Sequence, residues 1–206
     1  MLVEVLSMKL IYKGKYKGVV EEFDSSKNIK NAVKYKEADT IEEMAKIITI
    51  PANLLQLFLL LIIFFIVGIR DEIFLNLIIA FLVSLLTMIP HELFHGICYK
   101  EKVYLYTNLK QLMLFIVGED HLGKWKFIFM SMLPNIVFGF IPFIVFLFNT
   151  ELVFLGMLGA MCISYGMGDY YNVWNTIRQV PKNALVFAKG HNSYWYIPSK
   201  ENDNEK

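Results

Sequence analysis

Ile73–Pro90 reads IFLNLIIAFLVSLLTMIP, a run without Asp, Glu, Lys, Arg or His, and it leads directly into His91-Glu92-Leu93-Phe94-His95. A helix rises about 1.5 Å per residue, so this run, with modest help from its flanks, crosses a hydrocarbon core of about 30 Å. Three other stretches have the same character: Ala52–Ile69, Phe127–Phe148 and Leu152–Gly168. The connectors Arg70-Asp71-Glu72 and Asn149-Thr150-Glu151 read as tight turns. The expected fold is an all-α membrane protein with four transmembrane helices in two hairpins, joined by a loop over residues 100–126.

Composition supports this reading. The 206 residues are 56% apolar and 19% charged, against about 45–50% and about 25% in soluble domains. Residues 1–50 are rich in Lys and Glu, residues 51–178 hold the uncharged runs, and residues 179–206 are polar again. These are the three expected segments. Cys98 and Cys162 both lie in apolar stretches, which excludes a disulfide scaffold. A net charge of +1 without a basic stripe excludes a nucleic-acid partner. No cleavable signal is expected, because the first apolar run starts after fifty residues and three more follow.

Orientation follows from the Lys and Arg count on each side of the expected spans. Nineteen of the twenty fall in 1–51, in 100–126 or from Arg178 onward, and only Arg70 lies in a tight turn. Both termini and the central loop are therefore expected in the cytosol. Outside the spans, Lys9–Phe23 reads as a small hairpin about Lys13-Gly14-Lys15. Ala184–Phe187 and Ser193–Ile197 read as another, about Lys189-Gly190-His191-Asn192. Thr40-Ile41-Glu42-Glu43 fits a capping box, so a short helix should start there and end where Pro51 turns the chain inward. That helix lies on the bilayer surface or packs as an ordinary amphipathic element.

The HExxH pentapeptide carries the specific chemistry. Residues four apart share a helix face, so His91 and His95 can close on one cation. Zinc takes neutral imidazoles and favours four ligands, with one position left for water in catalytic sites. Glu92 is placed to take a proton from that water. Two of the four histidines in the chain fall here, at the end of a membrane span, where ionisable groups are costly and by default functional.

A third protein ligand is needed. Asp169 is the only charged residue between Leu152 and Ile177, and at that depth a carboxylate must be paired, bind a cation or reach headgroups. His91 is nine residues from Lys100 and Asp169 nine from Arg178, the first cations beyond their spans, or about 13–14 Å of helix in each case. The two residues are thus expected at one depth. Asn135 is likewise nine residues from Lys126. Its amide either bonds a carbonyl freed by Pro134 or donates to a substrate carbonyl and its developing oxyanion.

Weaker candidates are Cys98, too far along the helix from His91 to share a zinc, the loop residues Glu119, Asp120 and His121, and His191 in the expected tail turn. Trp125, Trp174, Tyr170 and Tyr171 read as a boundary belt, and Phe58, Phe64, Phe65 and Phe81 as lipid-facing or packing residues.

His91-Glu92-Leu93-Phe94-His95 at the end of a membrane helix, with Gly168-Asp169 two spans later, resembles the putative zincin peptidase family of small bacterial integral-membrane proteins. The likeness extends over most of residues 40–197, including Val180-Pro181-Lys182 and the strand pair after it. More distantly the chain is similar to the site-2 protease class of intramembrane zinc proteases, over the motif helix and the Asp helix alone. It has Gly168-Asp169-Tyr170-Tyr171-Asn172 where that class shows Asn-Pro-Asp-Gly or Leu-Asp-Gly. The resemblance implies zinc held by His91, His95 and Asp169, with Glu92 activating water, in a bacterial cytoplasmic membrane.

The expected function is a membrane-embedded zinc metalloprotease. It would cleave a peptide or membrane-protein substrate at the cytosolic face, with Glu92 catalytic, His91, His95 and Asp169 on the metal, and Asn135 positioning substrate. A homo-oligomer is compatible with four helices, although Gly156 and Gly159 are three apart and give no Gly-xxx-Gly signal. The alternative is a non-catalytic membrane protein whose metal is a structural clip or a sensed ion.

Overall fold

The computed structural model describes residues 2–5, 8–16, 29, 31–70, 72–108, 113–189 and 192–198. The chain is mostly helical, with two small sheets. Helix α1 (Ile41–Val67) starts where the capping residues predict. Thr40 Oγ1 accepts the Glu43 N–H at 3.1 Å, while Glu43 Oε2 accepts the Asp39 N–H at 3.0 Å. The helix does not stop at Pro51, however. The short helix and the first expected span are one element, because the packing of Ile41, Leu59, Ile63 and Val67 on the rest of the chain holds the helix together across the N–H lost at Pro51. Gly68, at φ +73°, ends it in the left-handed region where a Cβ would be strained.

Helix α2 (Glu72–Ile97) returns antiparallel and carries the HExxH residues in its last turns. The third expected span begins as α3 (Lys124–Asn135), passes through one π turn over Ile136–Phe140 and continues as α4 (Ile141–Phe148). In that turn the Ile141 N–H reaches back five residues to Ile136 O. Among the described residues three helical stretches are long and apolar enough to cross a membrane: Ile41–Val67, Glu72–Ile97 and Lys124–Phe148.

The fourth expected span differs. It is α5 (Val153–Tyr165), only 13 residues, followed after Gly166 by α6 (Met167–Gln179). Every residue from Gly156 to Ser164 is buried, so α5 is the centre of the bundle, apolar all round because it has no exposed side. Its glycines allow the approach. A Cβ on Gly159 would lie 2.6 Å from Phe143 N and 2.8 Å from Gly139 O, and one on Gly156 would meet the Phe146 ring. These two glycines thus serve packing within the chain. α1 and α2 instead present Phe58, Phe65, Phe74, Leu82 and Leu86 outward.

The described residues of the polar segments form more regular structure than the sequence suggests. The connector 100–126 is not a loop. It contains β4 (Lys102–Asn108), β5 (Met113–Gly118) and β6 (Leu122–Gly123). With β1 (Leu2–Val5) and β2 (Met8–Lys15), strands β4 and β5 form a sheet of order β1-β2-β4-β5, in which β2 and β4 run parallel. Gly14 is therefore not a hairpin turn. It sits at a β-bulge, at φ +84°, where the β2–β4 register shifts. The second sheet has the order β3-β8-β7-β6, from β3 (Val33–Lys34), β7 (Leu185–Lys189) and β8 (Asn192–Tyr196). Strands β7 and β8 form the tail hairpin expected from sequence. Buried Lys124 ties α3 to the end of α6, its Nζ donating to Val180 O at 2.6 Å and Ile177 O at 3.1 Å.

Candidate metal centre

His91, Glu92 and His95 occupy the last two turns of α2, just after Pro90. The two imidazoles lie one turn apart, ring centroids 5.0 Å from each other and nearly perpendicular. His95 is buried, and His91 is partly open. The Glu92 carboxylate lies beside the two imidazoles and is held from the other side, its Oε2 accepting the Ile116 N–H of β5 at 3.1 Å. That strand lies at the edge of its sheet, so this N–H is not used by a neighbouring strand.

Asp169 reaches the histidines from α6. Gly166 separates α5 from α6, and Asp169 falls in the first turn of α6, where unpaired backbone N–H groups and the helix dipole favour a carboxylate. Its Oδ2 is 3.1 Å from His91 Nε2, and its Oδ1 is 3.2 Å from His95 Nε2. The side chain is only 16% exposed, turned toward the imidazoles and not toward headgroups.

Asn135 completes the cluster in a way neither sequence-based reading anticipates. It is fully buried at the end of α3. Its Nδ2 donates to Asp169 Oδ2 at 2.7 Å and to Ser131 O at 3.1 Å. Its Oδ1 is buried without a hydrogen-bond partner and lies so close to Gly166 that a Cβ there would be 1.7 Å away. The carbonyl that Pro134 releases is that of Met130, and it bonds not Asn135 but His95 Nδ1, at 2.9 Å.

The donors suit a divalent metal. The ligand-type atoms of His91, Glu92 and His95 lie within 4.8 Å of one another. The imidazole–carboxylate separations of 3.1 and 3.2 Å are close to the spacing of about 3.3 Å between ligands in a tetrahedral shell with bonds of about 2.0–2.1 Å. Two neutral nitrogens and a carboxylate are zinc donors.

The remaining candidates have other roles. Cys98 packs with Tyr99, Val103 and Leu122. Asp120 Oδ2 accepts the Lys100 and Glu101 N–H groups, and Glu119 Oε1 accepts the Tyr104 hydroxyl. His121 stacks on Phe187, with its Nδ1 3.0 Å from Tyr196 Oη. His191 lies outside the described residues. Trp125 and Trp174 are exposed, whereas the Tyr171 hydroxyl accepts the Ala38 N–H and Tyr170 packs on Phe140. The contributions that sequence reasoning missed are the Ile116 N–H and the Met130 carbonyl. Only the second left a trace, a proline four residues downstream of Met130.

Residues 84–185 match a family model described as "Putative zincin peptidase". Over this stretch the chain belongs to that family. The match encloses HExxH, α3 with Asn135, and Asp169, and it ends at the first residue of β7, while α1 and strands β1 to β3 lie outside it. No curated protein and no solved structure matches the chain. Membership in the zincin family and the His91–Glu92–His95 cluster are both consistent with zinc.

Proposed function

We propose that the protein is a membrane-embedded zinc metallopeptidase that hydrolyses peptide bonds at, or just inside, the cytosolic face. The observation that carries this reading is the approach of both Asp169 oxygens to the two Nε2 atoms of a HExxH pair, from a different helix. His91, His95 and Asp169 would hold the metal, leaving Glu92 for proton transfer. Zinc bound there would supply Lewis acidity and lower the pKa of a water toward 7. Glu92 would accept a proton from the attacking water and deliver it to the leaving amine, with the Ile116 N–H steadying its carboxylate. The concentration of Lys and Arg beyond the site end of the spans supports a cytosolic placement for both termini and for the site.

A second reading has one observation in its favour. The Glu92 carboxylate lies close enough to both imidazoles to serve as a ligand, and four protein ligands would make a closed structural site. Glu92→Gln separates the two. The peptidase reading expects turnover of a quenched fluorogenic peptide library to fall by ~10²–10⁴-fold with zinc stoichiometry unchanged. Loss of zinc with no wild-type turnover to lose supports the structural clip.

A further inference from the structure

The buried turn Met130–Asn135 of α3 touches two of the three proposed ligands, and nothing in the hydrolytic reading uses it. In an α-helix the Met130 carbonyl would accept the N–H of residue 134, but that residue is Pro134, which has none. The freed carbonyl accepts from His95 Nδ1 at 2.9 Å. A carbonyl can only accept, so Nδ1 carries a proton in this bond, and in the neutral imidazole that a metal requires Nε2 keeps its lone pair for a cation shared with Asp169 Oδ1. One residue further on, Asn135 donates to Asp169 Oδ2 at 2.7 Å. The same amide leaves its own Oδ1 unpartnered against Gly166, a position where only a glycine fits. A buried unpaired acceptor is costly, so the local arrangement favours the aim of the donor over full satisfaction of the amide. Lys124 anchors the other end of α3 to the far end of α6, which fixes the spacing of the two helices.

We infer that Pro134 and Asn135 are positioning residues of the metal centre. Pro134 acts through the Met130 carbonyl to set the tautomer and ring orientation of His95. Asn135, with Gly166 as its gap, aims the Asp169 carboxylate. This rests on the assignment of His91, His95 and Asp169 as ligands. Outer partners of this kind typically change metal affinity by ~10–100-fold when removed.

The test uses the full-length protein in detergent, with zinc affinity read by chelator competition and ligand geometry read from the visible bands of the cobalt-substituted form. Asn135→Ala is expected to weaken zinc by ~10–100-fold. Pro134→Ala returns an N–H to compete for Met130 O, so it is expected to weaken zinc by about 10-fold and shift the cobalt bands, even though alanine is the better helix former. Pro142→Ala, in the same span but away from the site, is expected to change neither. Wild-type affinity and an unchanged cobalt spectrum in Pro134→Ala and Asn135→Ala, with zinc lost in Asp169→Ala, overturn the positioning role alone. Wild-type zinc in both His91→Ala and Asp169→Ala overturns the ligand assignment beneath it.

Discussion

The two halves of the site are built by different means. His91 and His95 stand on the uninterrupted helix α2, and their convergence follows from the 3.6-residue period. Asp169 stands just past a break at Gly166, and its aim depends on contacts from α3. The spacing of the first half is local and follows from any helix of that period, with α3 adding only the bond from the Met130 carbonyl to His95. The second is tertiary and exists only when α3, α5 and α6 pack as they do. A metal site that draws on both is as stable as its less local half.

Removing a proposed ligand tests the comparison most severely. His95→Ala and Asp169→Ala are each expected to weaken zinc by more than the ~10–100-fold range of outer partners, measured by chelator competition. Equal losses would show that the tertiary half contributes as much as the local one. Gly159→Val attacks the packing behind Asp169 and leaves α2 intact. A Cβ at that position would come within 3 Å of the α4 and π-turn backbone, and overpacking against backbone is expected to cost about 3 kcal/mol, read as a fall in thermal unfolding temperature with a parallel loss of zinc. Thr40→Ala removes only the cap of α1 and is expected to cost about 1 kcal/mol with zinc affinity unchanged.

The smallest effect concerns the segment Val33–Thr40, which is pinned to α6 and β8. Glu37 Oε1 accepts the Ser193 N–H, and burial pushes the Glu37 carboxyl above the usual carboxylate range despite that bond. A folded-state pKa raised above the unfolded one favours the fold while the group is protonated, and this contribution is lost as pH rises through the folded value. Hydrogen exchange at Ser193, corrected for its intrinsic pH dependence, should therefore show more protection in mild acid than at neutral pH. Glu37→Gln should flatten that dependence.

The uneven legibility of the sequence has the same origin as the two halves of the site. The histidine pair and the cap at Thr40 were readable because their partners lie within four residues. Asp169 was readable as the one charge in an apolar run, and its nine-residue offset from Arg178 matches that of His91 from Lys100. The sheets were hidden because β2 pairs with β4 across two intervening helices, and no local signal announces a partner so distant. Val103-Tyr104-Leu105-Tyr106-Thr107 has the β-branched and aromatic character of a strand, but charged flanks made the region look like a loop. Gly14 marked irregular backbone correctly, and its neighbours could not distinguish a turn from a bulge. The length of α5 was obscured because hydropathy scores a residue buried in protein and one facing lipid alike.

Asp169 lies 78 residues beyond His91 in the chain. During synthesis the histidine helix leaves the ribosome well before the carboxylate that meets it, and Asn135 emerges between them. A chain interrupted before α6 therefore carries both imidazoles without their acidic partner. If the proposed chemistry holds, unfinished products cannot cut their neighbours in the bilayer, and the order of translation itself acts as the safety catch.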